Sequence, residues 1–388
     1  MSDTDTIFTR NFLLLAFAYT LSMMGLNMQL PLLPLFIDSI GGSELDVGIV
    51  IGMLGLFAII TRFPLGPYVD AHGRKLVFML GIACFMVSFG LSTFCTETWH
   101  LVLVRMLSGV GLASMVLGGI AMVVDSSPKG RLGEALGYYT GIGITSMVFG
   151  PALSGIILDM AGFDASFWLS SILCLAALML ALGVKEEFHA IGGIQMRFRD
   201  VMRNNSLITA SIVGLFLALC FVTVGSFFPL LATSQGLSAA EVGFFFSVYG
   251  IAIIAARPLF GKLSDRVGRV TLLIPLMLTS ALTFILLSVA TDIWQYYALA
   301  VLFGISMGPA MPISSALAVD TITPGQRGKA IALHANSFDT GVMVGPVTMG
   351  IVAGQFGFNF LFPVLALLMI IGLGLALLNV KLGGRSLR

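Results

Sequence analysis

Two ionisable residues lie inside long apolar runs where a helix has no structural need for charge. Arg105 follows Trp99 by six residues, which places it ~9 Å into the helix predicted at about 99–124. A charge at that depth is costly and usually functional. We expect its partners to be Asn27 and Gln29, or an acidic group of a ligand. The alternative is a packing role in which the arginine snorkels outward.

Asp339 is the acid, among nineteen Asp and Glu, that we place near the middle of a span. It follows Lys329 by ten residues, or ~15 Å of helix. Burial at lipid depth opposes the charged form of a carboxyl group, so Asp339 could bind and release a proton. His334, five residues earlier, faces another direction but could share a water chain with it. The alternative is a structural acid hydrogen-bonded near Asn336 and Thr340.

A short charged segment between apolar runs occurs twice. The first copy runs from Gly66 to Lys75 and the second from Gly261 to Arg269, an offset of 195 residues (261 − 66). Both copies keep an acid, an arginine and two glycines, and glycine permits tight turns. The same offset relates Pro34 and Pro229, Arg62 and Arg257, Gly109 and Gly304, Asp125 and Asp320, Gly150-Pro151 and Gly345-Pro346, and Gly162-Phe163 and Gly357-Phe358. The chain is therefore predicted to contain one structural unit twice.

The composition indicates a membrane protein. Hydrophobic residues make up 57% of the chain, charged residues make up 10%, and the mean hydropathy is +1.02. Since a bilayer core needs roughly 20 apolar residues per helix, the sequence predicts an all-α polytopic membrane protein with twelve transmembrane helices. The predicted spans are about 11–36, 46–66, 75–95, 99–124, 134–160, 165–184, 206–232, 241–261, 271–290, 294–320, 329–356 and 358–380.

These spans group into an N-terminal six-helix half at 1–184, a cytoplasmic linker at 185–205 and a C-terminal six-helix half at 206–388. The linker is predicted to be a plain solvated segment or a regulatory, lipid-binding one. Arg10 is followed at once by a full-length span, so no cleavable signal is expected. The cysteines Cys84, Cys95, Cys174 and Cys220 have no metal-ligand or redox spacing and are expected to be small buried residues.

Lysine and arginine predict the orientation. Three of the twenty, Arg62, Arg105 and Arg257, lie inside spans, and the other seventeen (20 − 3) lie in the termini or alternate loops. We call that side the basic end and the opposite side, which carries acids such as Asp38 and Glu97, the acidic end. The positive-inside rule makes the basic end cytoplasmic, with both termini inside. Six spans per half give two parallel repeats, related by an axis along the membrane normal, with a pathway at their interface.

Three motifs resemble one family. The segment Gly66–Lys75 resembles the loop signature of the major facilitator superfamily, Leu101–Ala113 its fourth-helix signature in proton-coupled members, and Gly150–Gly155 its fifth-helix signature in exporters. The chain resembles a twelve-helix member over nearly its whole length, and in character a bacterial drug or metabolite efflux permease. The resemblance implies alternating access in a bacterial cytoplasmic membrane. Many drug/proton antiporters carry an acid on the first helix, where this chain has Asn27 and Gln29, so the coupling site stays open.

The two charged segments are predicted to be a cytoplasmic gate, with a plain topology-fixing loop as the alternative. The resemblance places Asp70 at the start of the eleventh helix, near Ala330, where the helix dipole is positive. Arg74 is expected to pair with Asp125 at the inner end of the fourth helix. The predicted gate residues are Gly66, Asp70, Gly73, Arg74, Asp125, Gly261, Asp265 and Arg269, and the predicted hinge residues are Gly150, Pro151, Gly345 and Pro346.

The resemblance also implies a pocket lined by helices one, four, seven and ten. These helices offer Met24, Asn27, Met28, Met115, Phe221, Thr223, Met307 and Met311. Methionine adapts to varied lipophilic ligands. Met24 with Met28, and Met307 with Met311, also place sulfur pairs at helical spacing, which is one way to bind Cu(I). Ordinary packing, a lipophilic drug surface and a copper site remain the alternatives.

Three functions compete on these observations. The first is a monomeric, proton-coupled exporter of small amphipathic molecules. The second is an importer of copper or an organic anion, and the third is a non-transporting receptor, against which both retained gates argue. No catalytic set, phosphate loop or metal-ligand spacing is evident, so no enzyme, cofactor or resident metal is expected. A net charge of +1 indicates no nucleic-acid partner.

Overall fold

The computed structural model describes residues 6–128, 130–186, 204–323 and 327–382, and the side chains of residues 67 and 70–72 lie outside that description. The described chain is helical and contains no strand. The helices are α1 Arg10–Ser39, α2 Glu44–His72, α3 Lys75–Ser92, α4 Thr98–Ser126, a long helix Leu132–Leu182, α7 Asn205–Ser234, α8 Ala239–Val267, α9 Arg269–Leu287, α10 Ile293–Leu317, α11 Arg327–Phe356 and α12 Phe358–Leu382.

The long helix Leu132–Leu182 is two helices joined at Gly162. The backbone of Gly162 has φ 82° and ψ −176°, which lies outside helical geometry and in a region that favours glycine. We therefore call 132–161 α5 and 163–182 α6. Counted this way, the described residues form twelve helices, as the sequence predicts. Gly162 has its counterpart in Gly357, with φ 78°, at the start of α12, so the offset of 195 residues is preserved in the backbone.

In the part of the chain that the structure describes, ten helices are long and apolar enough to cross a membrane, when Leu132–Leu182 is counted once. The described helix of similar length that is not among them is α11. It carries Arg327, Lys329, His334 and Asp339 along one length of helix. The fold is that of a polytopic, all-α membrane protein with two six-helix repeats, and α11 is its polar member.

The chain groups into two compact units. Unit 1 is Met1–Gly42, Leu56–Gly193 and Ser238–Ser247, and unit 2 is Ser43–Gly55, Ile194–Leu237 and Val248–Arg388. Unit 1 thus contains most of the first repeat and the acidic-end part of α8 from the second repeat. Unit 2 contains most of the second repeat and the acidic-end part of α2 from the first. The predicted halves 1–184 and 206–388 stay a prediction from the sequence, because this grouping follows contacts rather than chain order.

Each unit has a core of aromatic and small side chains. In unit 1 the rings of Phe85 and Phe89 stack with centroids 5.3 Å apart. In unit 2 the rings of Tyr249 and Phe303 lie 4.8 Å apart. Many helices are apolar on every face, which is expected when one face contacts neighbouring helices and the other contacts lipid. Cys95, Cys174 and Cys220 are buried, Cys84 is half-buried, and all four are free thiols, as expected.

Candidate functional site

The first charged segment places Arg74 at the start of α3, opposite the last turn of α4. Its guanidinium makes an ion pair with the carboxylate of Asp125. The two side chains are 3% and 8% exposed, so this pair is almost fully removed from water. Gly118 on α4 allows the approach, since a Cβ there would lie 2.9 Å from the carbonyl oxygen of Arg74. The contact expected between Arg74 and Asp125 is present, and its role as a gate stays a prediction.

Glu186, just after α6, caps the same end of α3. Its carboxylate accepts hydrogen bonds from the backbone N–H of Arg74 and, at 3.2 Å, from that of Lys75. Asn11 holds this segment in place by bonding both the N–H and the carbonyl of Lys185, at 2.7 Å and 2.6 Å. Sequence reasoning missed Glu186 because it followed positions that recur, and the residue 195 positions later is Lys381.

The second charged segment forms a looser version of the same contact in unit 2. Arg269 Nε lies 2.7 Å from Asp320 Oδ2, and Arg269 Nη2 lies 3.9 Å from Asp265 Oδ1. The side chains of Arg269, Asp320 and Asp265 are 25%, 34% and 70% exposed. A pocket of ≈ 530 Å³ lies beside them, lined by Asn205, Ser206, Thr209, Ser264, Asp265, Gly268, Arg269, Val270, Leu317, Asp320, Thr321 and Val380.

Two details correct or limit the predicted gate. Gly66 and Gly261 lie inside α2 and α8, with open space where a Cβ would stand, so the expected turn at Gly66 is wrong. The chain instead turns at Gly73 and Gly268, whose φ values of 101° and 94° favour glycine. The side chain of Asp70 lies outside the described residues, so its predicted contact near Ala330 stays untested.

Arg105 is buried on α4 in unit 1. It is 7% exposed, and among the described residues its Nε and Nη1 atoms have no hydrogen-bond partner. The expected partners are engaged elsewhere: Asn27 donates to Ser146 on α5 at 2.8 Å, and Gln29 donates to Ser170 on α6 at 3.2 Å. The prediction that these two amides bind Arg105 is therefore wrong, because α1 directs them to α5 and α6. Arg105 retains buried donors that a ligand could satisfy.

The predicted methionine-rich lining is only partly available. Met28, Met115 and Met307 are fully buried, so in this structure they fill the packing within each unit rather than line an open cavity. The hydroxyl of Ser170 donates to the sulfur of Met28 at 3.5 Å. Thr223 is also fully buried, and its hydroxyl donates to its own helix. The half-buried members of the predicted lining are Met24, Asn27, Phe221 and Met311.

His334 and Asp339 are both buried on α11 in unit 2, at 6% and 7% exposure. The Nε2 atom of His334 lies 3.2 Å from the hydroxyl of Ser314 and 3.0 Å from that of Ser315, both on α10. The backbone of Asp339 passes close to α2, because a Cβ at Gly55 would lie 2.8 Å from the carbonyl oxygen of Asp339. The structure therefore gives each predicted coupling residue a buried position on the polar helix.

The predicted hinges are close-packed positions. A Cβ at Gly150 would lie 2.9 Å from the carbonyl oxygen of Met24 on α1, and one at Gly345 would lie 2.8 Å from that of Leu219 on α7. The carbonyl of Pro151 contacts Gly243 on α8, and that of Pro346 contacts Gly48 on α2. Substituting any of these glycines would separate helices, which is consistent with a sealing contact. Bending at these positions stays a prediction.

Comparisons with known proteins agree with this architecture. A sequence profile described as Major Facilitator Superfamily matches residues 15–210 and again residues 210–386. The multidrug resistance protein MdtG of Enterobacter lignolyticus (strain SCF1) is 28% identical, and the match covers 100% of this chain and 94% of that protein. MdtG of Citrobacter koseri is 27% identical, with 100% and 97% covered.

Solved structures show the same fold at low sequence identity. A crystal structure of the nucleoside transporter NupG has a TM-score of 0.82 at 12% identity, covering 95% of this chain and 99% of that one. A POT family transporter in complex with 5-aminolevulinic acid has a TM-score of 0.82 at 11% identity, with 97% of each chain covered. One neighbour is named as a nucleoside transporter and the other is bound to 5-aminolevulinic acid, so the likeness establishes the fold and leaves the substrate open.

Proposed function

Because the chain belongs to the Major Facilitator Superfamily, and is thus a membrane transporter rather than an enzyme, we propose that it exports small amphipathic molecules in exchange for protons. The observation that carries the proposal is Asp339, a carboxyl group 7% exposed on a helix of the transmembrane bundle. Full-length similarity to proteins named for multidrug resistance supports the export direction.

The proton step belongs to Asp339. Ionisable side chains buried within a transmembrane bundle commonly relay protons, and Asp339 is such a carboxyl group. His334 is held by two serine hydroxyls on α10 and extends a polar path along α11 toward the basic end. A path of this kind lets a proton leave the carboxyl group toward the basic end without crossing lipid.

In unit 1 the substrate step involves Arg105 and the half-buried residues Met24 and Asn27. In unit 2 the half-buried members of the predicted lining are Phe221 and Met311. Soft thioether and aromatic side chains tolerate ligands of varied shape. Arg105 adds one buried cation with free donors, which orients a ligand that carries a carbonyl or an acidic group. Within unit 1, soft side chains beside one fixed polar anchor support a broad substrate range.

Alternating access needs two states that differ by a few kcal/mol, and several gate contacts of ~0.3–2 kcal/mol each can together bias such an equilibrium. The Arg74–Asp125 and Arg269–Asp320 pairs stabilise helix ends at the basic end. We place this end in the cytoplasm of a bacterial cell, with the protein as a monomer in the cytoplasmic membrane and both termini inside. Opening there admits substrate, and opening at the acidic end releases it.

The test is drug efflux from reconstituted vesicles under an imposed pH gradient. A lipophilic cationic dye is loaded, and its movement is compared between the unaltered protein and Asp339→Asn. We expect gradient-driven movement to be abolished, because an amide of the same shape cannot bind a proton. Asp164→Asn, which removes an exposed acid at the acidic end, is the matched control and should transport normally. Normal pH-driven transport by Asp339→Asn would remove Asp339 from the mechanism.

A carrier of organic anions is the second candidate, and the unpartnered donors of Arg105 favour it. In the same vesicles an anionic metabolite would then move in preference to the cationic dye. Arg105→Lys should keep part of this movement and Arg105→Gln should lose it, since only the lysine retains the charge. No comparable observation favours copper, because Met28 and Met307 are buried in packing.

A further inference from the structure

The N-terminus of α8 is closed by two different acids. Within its own chain segment, Ser238 and Glu241 form a capping box: Glu241 N–H donates to the Ser238 hydroxyl at 3.2 Å, and Ser238 N–H donates to Glu241 Oε2 at 2.8 Å. The first two helical N–H groups, of Ala239 and Ala240, remain outside this box. Both are taken by Asp159 of α5, at 3.2 Å to Oδ1 and 2.8 Å to Oδ2.

Below that carboxylate, α5 and α8 touch through glycine. Gly155 contacts the backbone of Ala239, and Gly243 contacts the carbonyl of Pro151. We call this contact at the acidic end of unit 1, with Asp159 above it, the α5–α8 seam. The glycine contacts depend on close packing of the two helices. The Asp159 contact depends on charge, because a helix N-terminus carries a partial positive charge that attracts a carboxylate.

The repeat places an equivalent contact between α11 and α2 in unit 2, which we call the α2–α11 seam. Here Gly350 contacts the backbone of Glu44, and Gly48 contacts the carbonyl of Pro346. Ser43 and Asp46 form a capping box like that of α8. The position equivalent to Asp159 is Gly354 (159 + 195), so among the described residues α11 offers no carboxylate to the start of α2 from that position. The Glu44 carboxylate of α2 lies beside Gly354, 3.6 Å from where a Cβ there would stand.

We propose that Asp159 is a positioning residue of the transport cycle that locks the α5–α8 seam and must release α8 before the acidic end opens. The proposal rests on alternating access as part of the proposed function. Neither the capping box nor the glycine contacts require Asp159, since α8 has its own cap and the α2–α11 seam packs without a counterpart. The Asp159 carboxylate therefore adds a contact between α5 and α8, which separate when the acidic end opens. The strength of this contact determines the population of the separated state.

The expected size follows from capping. Loss of an N-cap acceptor weakens a helix contact by an equilibrium factor of about 5, within a range of roughly 2 to 30. Asp159→Asn keeps the shape and an acceptor oxygen but removes the charge. It should therefore increase the population in which α5 and α8 are separated by a factor at the low end of that range. Asp159→Ala removes both and should raise it about 5-fold.

The experiment measures distances between spin labels in the full-length protein reconstituted in lipid. Labels go on cysteines at Trp168 on α6 and Phe244 on α8, both exposed and both within unit 1, after Cys84, Cys95, Cys174 and Cys220 are replaced. The unaltered protein should show mainly one short distance. Asp159→Ala should populate a longer distance several-fold more, Asp159→Asn less so, and Asp159→Glu should restore the short one. Asp164→Asn, an acid nearby in the chain, should match the unaltered protein.

Equal distance distributions in all these proteins would overturn the lock. If Asp159→Ala is not recovered folded, amide exchange in the unaltered protein decides: Ala239 and Ala240 should exchange more slowly than Glu44 and Leu45 at the start of α2, and equal rates would contradict the proposal. The distances do not depend on any substrate. Failure of dye efflux would therefore remove the export function and leave the lock standing, whereas unchanged distances with normal efflux would remove only the lock.

Discussion

The two charged segments share a motif but differ in their surroundings. Arg74 and Asp125 in unit 1 form a buried pair, and Glu186 caps the helix that carries Arg74. Arg269 and Asp320 in unit 2 form a part-exposed pair beside a pocket of ≈ 530 Å³. The related space in unit 1, lined by Asp125 and Glu186 among others, is ≈ 10 Å³. The same motif thus forms a tight contact in one repeat and an accessible contact in the other.

The chain after the sixth helix of each repeat explains the difference. We call the Arg74–Asp125 pair the first latch and the Arg269–Asp320 pair the second latch. In the first repeat, residues 184–186 fold back over the first latch, held by Asn11, and bring a carboxylate to the start of α3. In the second repeat the position of Glu186 is taken by Lys381, which is still within α12. The N-cap residue of α9 is Gly268, which has no side chain with which to cap the helix. We infer that the second latch is the one that opens readily.

The largest expected effect comes from breaking the buried pair. Asp125→Asn removes a buried counter-charge of the Arg74 guanidinium, which should destabilise unit 1 by about 3 kcal/mol. Asp320→Asn removes the same charge from a part-exposed pair and should cost no more than ~1 kcal/mol. The measurement is the folded fraction of purified protein during titration with denaturing detergent.

A double variant separates the pair from its parts. Adding Arg74→Gln to Asp125→Asn should recover part of the lost stability, because the buried guanidinium charge is then removed as well. Equal losses for Asp125→Asn and Asp320→Asn would show that the burial difference between the latches has no energetic consequence.

Removal of the Glu186 cap should have a moderate effect. Glu186→Gln loses the charge that faces the N-terminus of α3 and should cost ~1 kcal/mol of stability. Lys381→Gln is the matched control in the second repeat, and it should be nearly neutral. Thermal unfolding followed by intrinsic fluorescence gives both values, and a shift of the same size in both variants would refute the assignment of Glu186 as a cap.

The smallest effect is expected when the missing acid is restored in the second repeat. Lys381→Glu places a carboxylate at the position equivalent to Glu186, where it can approach the start of α9. We expect a gain of ~0.3–1 kcal/mol at low salt, which should fade as ionic strength rises. Unfolding midpoints at low and high salt measure it, and a salt-independent loss of stability would contradict the equivalence of the two positions.

The fold was largely predictable because long apolar runs must be helices in lipid and because the repeat is evident from residues that recur 195 positions apart in the sequence. The turns at Gly162 and Gly357 both have positive φ, as their shared position suggests. The turn predicted at Gly66 was wrong because a glycine before a charged segment is as compatible with a helix as with a turn. The helix continues to His72 and the turn comes at Gly73.

The sites were harder to predict because they depend on helix rotation and on departures from the repeat. Met28, Met115 and Met307 lie on predicted pocket helices, yet their side chains face neighbouring helices, a choice that spacing alone does not determine. Glu186 and Asp159 are equivalent to Lys381 and Gly354, so a search for recurring residues passes over both. Their partners are backbone N–H groups of other helices, which leave no signature in the sequence.

Amide hydrogen exchange at the starts of α3 and α9, read in one sample of unaltered protein, tests the difference between the latches most directly. The Glu186 carboxylate should protect the N–H groups of Arg74 and Lys75 by a factor of about 5 relative to those of Arg269 and Val270. Equal protection at the two helix starts would contradict the claim that one copy of the motif is capped and the other is open.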